Sequence, residues 1–158
     1  MSGLAVAQSP YIARVYDYCP APGQFVNLLP ASTAGDDAAA MAQKATDCLA
    51  GTANGTIVSL GSWGGYIIFG FDHQIENGSG ADFKITGNAF AGNAEPGIVM
   101  VAADDNQNGL PDDTWYEICG SAHQHTETQR QYVVTYKKHR SSGDSIVWTD
   151  NRGNNGYI

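Results

Sequence analysis

The segment from Asp104 to Asp113 carries the most specific chemistry in the sequence. Counting Asp104 as position 1, side chains bearing oxygen stand at positions 1, 3, 5 and 9, and a glycine stands at position 6. This is the spacing of an EF-hand-like loop, in which about six to eight oxygens surround one Ca²⁺ ion. The spacing predicts a structural Ca²⁺ site whose oxygens come from Asp104, Asn106, Asn108, the Leu110 carbonyl, Asp112 and Asp113.

This segment departs from a complete EF-hand at position 12, where Trp115 replaces a bidentate glutamate. Asparagine at positions 3 and 5 leaves fewer charges than an all-aspartate loop, so we expect the modest affinity of an extracellular calcium site. A metal-free hairpin is the alternative, because Asn108-Gly109 is itself a turn signal. Both interpretations place a hairpin between two strands, and the expected role of the loop is structural rather than catalytic.

Three aromatic residues are candidates for contact with a ligand. Trp63 and Tyr66 lie in the glycine-rich run GSWGGY at 61–66. Aromatic rings exposed on such a turn can stack on a sugar ring or a flat cofactor, and the alternative is burial in the core. Trp115 is a third candidate, although it lies in an apparent strand, where burial is the default. The sequence therefore predicts a ligand surface formed by Trp63, Tyr66 and Trp115.

One helix and a series of short strands have to position these residues. The Ala-rich segment from Asp36 to Ala50 places apolar side chains on one face and stops at Gly51, which predicts a helix. The strand-like runs predict a mainly β protein, a jelly-roll-like antiparallel β-sandwich with one helix near the N-terminus. These runs are 11–18, 56–60, 65–71, 82–86, 97–103, 114–119, 131–137 and 145–149.

The length of 158 residues fits a single domain over 1–158. Residues 1–10 are expected to form a flexible N-terminal segment. Residues 150–158 look like a loop that enters a new strand and then stops, which predicts that the domain is truncated at its C-terminus. Any signal or lipid anchor is expected to be missing from this chain.

Composition excludes several classes of function. The formal charge is −8 with eight Lys and Arg residues, which argues against a nucleic-acid partner because phosphates need a basic surface. No run approaches the roughly 18 apolar residues of a membrane span. The sequence lacks a GxSxG, HExxH or phosphate-loop motif, so a binding protein is favoured over an enzyme. For the cysteines, a disulfide between Cys19 and Cys48 and plain buried thiols are both open.

Several runs together resemble a group of cell-surface proteins and lipoproteins from gut Bacteroidetes, often labelled PKD-like. The runs are YIARVYDYCPAPGQFVN, VSLGSWGGYIIFGFDH, DFKITGNAF and EPGIVMVAADDNQNGLPDDTWYEI, so the resemblance covers the chain from about Tyr11 onward. It implies a secreted β-sandwich located at the outer surface of the cell. It also implies a non-catalytic module for nutrient capture whose partner is a glycan or, alternatively, a corrinoid (vitamin B12). A structural or adhesive module that contacts neighbouring surface proteins is the third alternative.

Overall fold

The computed structural model describes residues 8–51, 57–138 and 145–158. The chain forms two compact units, a larger unit of Met1–Asp72 with Gln129–Ile158 and a smaller unit of His73–Thr128. The predicted flexible segment lies outside the described residues up to residue 7. In chain order the elements are β1 (Arg14–Cys19), α1 (Ala38–Leu49), β2 (Tyr66–Gly70), β3 (Met100–Val101), β4 (Tyr116–Glu117), a 3-10 helix (Ser121–Gln124), β5 (Val134–Tyr136), β6 (Val147–Asp150) and β7 (Asn155–Tyr157).

The core of the larger unit lies between helix α1 and strand β1. The helix begins after Asp37, whose carboxylate accepts a hydrogen bond from the Ala40 N–H at 2.8 Å, as an N-cap does. Ala42 and Ala45 are buried, and their small side chains let the helix approach the buried Val15 of β1. The helix predicted over 36–50 is therefore confirmed, and it is slightly shorter at each end.

Tyr18 in β1 joins this core to two loops. Its side chain is only 3% exposed, and its hydroxyl lies 2.5 Å from the Ser59 carbonyl oxygen and 3.1 Å from the Leu29 carbonyl oxygen. Burial, with a smaller effect from Cys48, raises the pKa of Tyr18, so the hydroxyl stays protonated and donates. One phenol thus holds both loops against β1.

Strand β2 pairs antiparallel with β1 and has two faces with different surroundings. Ile67 and Phe69 pack against the core. Because side chains alternate along a strand, Tyr66 and Ile68 point to the opposite face. The cross-strand partner of Tyr66 is Cys19, at the end of β1.

The other sheet of the larger unit has three antiparallel strands in the order β5-β6-β7. Trp148 of β6 pairs with Gly156 of β7. A Cβ at Gly156 would lie 2.9 Å from atoms of the Trp148 ring, so the glycine leaves room for the indole. The strand predicted near the C-terminus is present as β7.

The smaller unit is built around the antiparallel pair β3-β4 and the 3-10 helix. The hairpin predicted around 104–113 is therefore present, although each flanking strand is only two residues long. Residues 82–86, predicted as a strand, join no strand of the described structure, and Phe83 and Ile85 are exposed. Alternating side chains do not make a strand without a hydrogen-bonded partner.

Across the described residues the protein has little helix, and its sheets are small and antiparallel. Residues 57–60 of the strand predicted over 56–60 lie outside the strands, and Thr56 lies outside the described residues. None of the described helices is long and apolar enough to cross a membrane. A single domain over 1–158 stays a prediction.

The bonding and exposure of the three cysteines match neither of the two sequence predictions. All three lie in the described part of the chain, and no disulfide joins Cys19 to Cys48. Cys19 and Cys119 are exposed and Cys48 is half-buried, so the expectation of plain buried thiols is also wrong. Cys19 is exposed because it ends β1 on the side away from helix α1.

Removing the Tyr18 hydroxyl tests its role as the link between the core and the loops. Tyr18→Phe leaves two carbonyl groups without this donor, and we expect the free energy of unfolding to fall by about 1–3 kcal/mol. The measurement is chemical denaturation followed by circular dichroism. Tyr157→Phe is the matched control, because Tyr157 is 77% exposed. Equal stability of the two variants would contradict the assigned role.

Candidate functional site

The loop between β3 and β4 is organised by its own side chains. The Asp104 carboxylate accepts hydrogen bonds from the Asn108 N–H at 3.0 Å and the Gly109 N–H at 2.9 Å. The Asn108 side chain accepts from the Leu110 N–H at 2.7 Å and donates to the Asp112 carboxylate at 3.0 Å. Positions 1, 5 and 9 of the predicted calcium loop therefore lie close to one another.

Asn106, at position 3, takes part in the same network. Its side-chain oxygen accepts from the Asn108 N–H at 2.9 Å, and its amide nitrogen lies 3.3 Å from Asp112 Oδ1. Gly109 has a φ of +72°, a backbone conformation that glycine adopts without a steric penalty. The sharp turn that a calcium loop requires at this position is therefore present.

The Asp113 carboxylate is only partly satisfied by hydrogen bonds. Among the described residues, its Oδ2 atom is the one buried side-chain oxygen or nitrogen without a hydrogen-bond partner. Burial raises the pKa of Asp113, and the neighbouring charges of Asp112, Asp105 and Asp104 raise it further, against a backbone hydrogen bond from Asp105. The ionised form of Asp113 is therefore disfavoured by the loop as it stands.

A Ca²⁺ ion needs about six to eight oxygen ligands around it. In the part of the chain that the structure describes, no three His, Cys, Asp or Glu side chains converge closely enough to hold a metal ion. The six predicted ligands include only three carboxylates, and amide and backbone oxygens supply the rest. Hard oxygen donors of this kind suit Ca²⁺, and a cation would offset both the repulsion and the unpaired Asp113 oxygen. The donor set therefore fits calcium.

The larger unit carries an open depression of about 310 Å³ beside the glycine-rich loop 61–65. Trp63 lines this depression and is 53% exposed, so part of its ring is open to solvent. The described residues of the lining carry no formal charge. They are Cys19, Pro20, Ala21, Pro22, Trp63, Gly64, Val134 and Tyr136.

Close contact between two backbone segments positions the Trp63 depression. A Cβ at Gly61 would lie 1.9 Å from the Ala21 carbonyl oxygen, and Gly61 has a φ of +73°, so only glycine fits here. The Ala21 N–H donates to the Leu60 carbonyl at 3.0 Å, and the Ser62 N–H donates to the Pro22 carbonyl at 3.2 Å. The proline-containing wall and the Trp63 loop are thus tied together by their main chains.

Aromatic side chains support Trp63. The Trp148 ring lies 5.7 Å from the Trp63 ring at an angle of 55°, and the Tyr132 ring lies 6.2 Å away at 72°. The Tyr136 hydroxyl donates to the Trp63 carbonyl oxygen at 2.9 Å. Contacts of this geometry are favourable between aromatic rings, so the Trp63 side chain is held in place before any ligand arrives.

Tyr66 lies next to the depression without being part of its lining. It is 44% exposed, it pairs with Cys19, and its hydroxyl donates to the Asp17 carboxylate at 2.7 Å. The hydrogen bond to Asp17 raises the pKa of Tyr66 to about 12, and burial and the charge of Asp17 add to the effect. At neutral pH the hydroxyl is therefore a proton donor engaged with a carboxylate.

Trp115 lies in the smaller unit, whereas Trp63 and Tyr66 share the larger one. It is half-buried, and its indole N–H points to the Pro111 carbonyl oxygen at 3.4 Å. Its ring therefore packs beside the predicted calcium loop. This contact gives Trp115 a structural role within the hairpin.

Sequence reasoning missed several residues of the Trp63 depression. Pro20 and Pro22 follow the strand predicted over 11–18, and Tyr136 lies within the strand predicted over 131–137, so nothing in the sequence marks them as ligand contacts. The signal for Trp63 was local, since glycines flank it. The other residues come from distant parts of the chain, and no spacing in the sequence connects them.

Searches against protein-family models and against curated proteins found no match. The resemblance to Bacteroidetes surface proteins therefore stays a hypothesis.

Asp150 fixes the turn that joins β6 to β7. Its carboxylate accepts hydrogen bonds from the Arg152 N–H at 2.9 Å, the Asn154 N–H at 2.7 Å and the Tyr132 hydroxyl at 2.9 Å. Burial tends to raise the pKa of Asp150, but these hydrogen bonds and one from the Asn154 side chain outweigh it and lower the pKa to about 2. Ionised Asp150 therefore stabilises the fold.

Acid should weaken this support within a defined pH window. Because the pKa is lowered on folding, the stabilisation is complete above the unfolded value of about 3.9 and is lost as pH falls toward about 2. We expect Asp150→Asn to lower the Tm at pH 7 and this deficit to shrink below about pH 4. Asp47→Asn, at an exposed position of α1, is the control and should change little. A deficit that does not depend on pH would contradict the assignment.

Proposed function

We propose that the protein is a calcium-stabilised, non-catalytic surface module that captures a nutrient, and that a glycan binds at the Trp63 depression. The observation that carries the proposal is a partly exposed tryptophan fixed over an open, uncharged depression. Sugar rings present one apolar C–H face, which stacks on an aromatic ring. The lining supplies the flat aromatic surface and the small apolar walls that such stacking needs.

The polar groups beside the depression fit the hydroxyls of a sugar. Tyr66 and Asp17 lie on the neighbouring face of the β1-β2 sheet, and a carboxylate accepts hydrogen bonds from hydroxyl groups. The chain carries a net charge of −8, so an anionic ligand would be repelled. These features favour a neutral glycan.

Two alternatives receive less support. A purely structural module should bury Trp63 and Tyr66, yet these side chains are 53% and 44% exposed. A corrinoid is far larger than a depression of about 310 Å³, which lies at the lower end of the volumes that hold small ligands. The non-catalytic part of the proposal rests on the sequence, in which no GxSxG, HExxH or phosphate-loop motif occurs.

The architecture and location are part of the same proposal. We infer a jelly-roll-like sandwich because the described strand pairs are all antiparallel and short antiparallel strands are typical of that architecture. The acidic composition and the calcium loop suit a location outside the cell, where calcium is abundant. The resemblance to Bacteroidetes surface proteins agrees with that location.

In the calcium loop, Asp104, Asn106, Asn108, Asp112, Asp113 and the Leu110 carbonyl would hold the ion. Calcium supplies positive charge that neutralises repulsion among the carboxylates. The loop lies in the smaller unit and the Trp63 depression in the larger one. Calcium is therefore assigned to the stability of the hairpin.

Replacing Trp63 tests the glycan site. A glycan array should identify a neutral glycan that binds the wild-type protein, and calorimetric titration then gives its affinity. We expect Trp63→Ala to weaken binding at least about tenfold, since loss of a stacked ring costs about 1.4 kcal/mol or more. The matched control is Tyr157→Ala, which removes an exposed aromatic ring of the same unit that lies outside the lining.

Three results would contradict the glycan assignment. An array without hits, or equal affinity of the wild type and Trp63→Ala, would remove its basis. Protein that retains the colour of cobalamin after incubation and desalting would favour the corrinoid alternative.

Removing the Asp113 charge tests the calcium loop. Because the pKa of Asp113 is raised, its ionised form destabilises the metal-free fold at neutral pH. In chelator, Asp113→Asn should therefore unfold at the same Tm as the wild type or a higher one. Calcium at about 10 mM should raise the Tm of the wild type, and should raise that of Asp113→Asn much less. Scanning calorimetry provides these values.

Glu95→Gln is the matched control, since it removes one exposed carboxylate of the same unit outside the loop. It should keep the full calcium-dependent rise in Tm. A wild-type Tm that calcium leaves unchanged would exclude the site.

A further inference from the structure

Phe25 has an unusual backbone conformation for an aromatic residue. Its φ is +64°, and the other described non-glycine residues with positive φ are Gln107 and Gln131. A bulky side chain is strained in this region, which glycine and asparagine enter far more readily. The Phe25 side chain is nevertheless 52% exposed, so it contributes little to the core in return.

The turn that carries Phe25 is rigidly anchored. The Phe25 carbonyl accepts hydrogen bonds from the N–H groups of Leu28 and Leu29, both at 2.9 Å. The Leu29 carbonyl accepts from the Ser59 N–H at 2.7 Å, and the Ser59 hydroxyl donates to the Gln24 carbonyl at 2.7 Å. The strained conformation is therefore imposed by a fixed frame, and the frame holds the Phe25 ring outward.

This turn continues the wall of the Trp63 depression. Pro22 lines the depression, and Phe25 follows it by three residues, which span at most about 11 Å. A Cβ at Gly61 would lie 2.9 Å from Cγ1 of Val26, so the turn also packs directly on the Trp63 loop. Phe25 and Trp63 therefore belong to one continuous and rigid part of the surface.

The composition of the turn indicates the class of ligand. The segment 20–32 contains no charged residue. Phe25 and Leu28 are 52% and 64% exposed, and the amide side chains of Gln24 and Asn27 beside them are exposed as well. Apolar surface with neutral amides at its edge suits a neutral sugar, which offers a C–H face and hydroxyl groups.

We propose that Phe25, with Leu28, forms a second binding platform next to Trp63, and that the ligand is a neutral oligosaccharide chain that occupies both. The inference rests on the proposed glycan function and adds a requirement for chain length. One sugar ring occupies the depression, and the following rings reach the Phe25 turn. The strain at Phe25 is retained because the ring is needed outside the fold.

The test compares affinities for short and long neutral glycans. The probes are disaccharides and hexasaccharides of the malto, cello, xylo and manno series, measured by calorimetric titration. Wild-type protein should bind the hexasaccharide of its preferred series at least about tenfold more tightly than the disaccharide. Phe25→Asn removes the ring and tolerates positive φ, so the ratio of the two affinities should fall toward one.

Two further variants make the result specific. Phe25→Trp keeps an aromatic platform and should retain the dependence on chain length, and Phe90→Ala, which removes an exposed phenylalanine of the smaller unit, should retain it too. The Tm of Phe25→Asn should equal or exceed that of the wild type, because the strain is relieved. A lower Tm would mean that Phe25 has a structural role and would overturn the inference.

The outcomes separate the inference from the proposed function. A wild-type preference for long chains that persists in Phe25→Asn overturns the second platform and leaves the Trp63 site standing. If the wild-type protein binds the disaccharide and the hexasaccharide with equal affinity, the second platform is likewise overturned and the Trp63 site still stands. Absence of binding to every probe overturns the proposed function, and the inference with it.

Discussion

The contact between the backbone at Ala21 and the loop around Gly61 is the constraint on which the proposed site depends. A side chain at Gly61 would collide with the Ala21 carbonyl oxygen, so the two segments can approach only because Gly61 has none. The approach brings Pro20 and Pro22 together with Trp63 in the lining of the depression. The Tyr18 hydroxyl also fixes this region, because it donates hydrogen bonds to the carbonyl groups of Ser59 and Leu29.

The parts of the fold that depend on local sequence were predictable. Helix α1 was expected over 36–50 and lies at Ala38–Leu49, because its cap, its alanines and its terminal glycine are neighbours in the chain. Strand pairing depends on segments that are far apart in the sequence. Alternating apolar and polar side chains show only that a segment could form a strand, not that it has a partner. Residues 82–86 alternate cleanly and still have no partner in the described structure.

The candidate sites follow the same rule. The calcium site stays a prediction, and the sequence alone suggests it because all six proposed ligands fall within ten residues; the structure adds that several of these side chains contact one another. Trp63 was predictable from its glycines, whereas Tyr132, Tyr136 and Trp148 reach it from the C-terminal strands. Phe25 gave no signal in the sequence, since positive φ at a phenylalanine is visible only in the structure.

A ligand that gains little free energy from each contact binds well only to a surface that is already rigid. Each sugar hydroxyl exchanges a hydrogen bond with water for one with the protein, so the net gain per contact is small, about 0.5–1.5 kcal/mol. Affinity then depends on avoiding the entropic cost of ordering the site. Trp63 is held by two aromatic rings and a main-chain contact, and Phe25 by a hydrogen-bonded turn. Under the proposed function, such a surface would meet a glycan with its aromatic side chains already in place, which is the physical reason for proposing capture in preference to a structural or adhesive role.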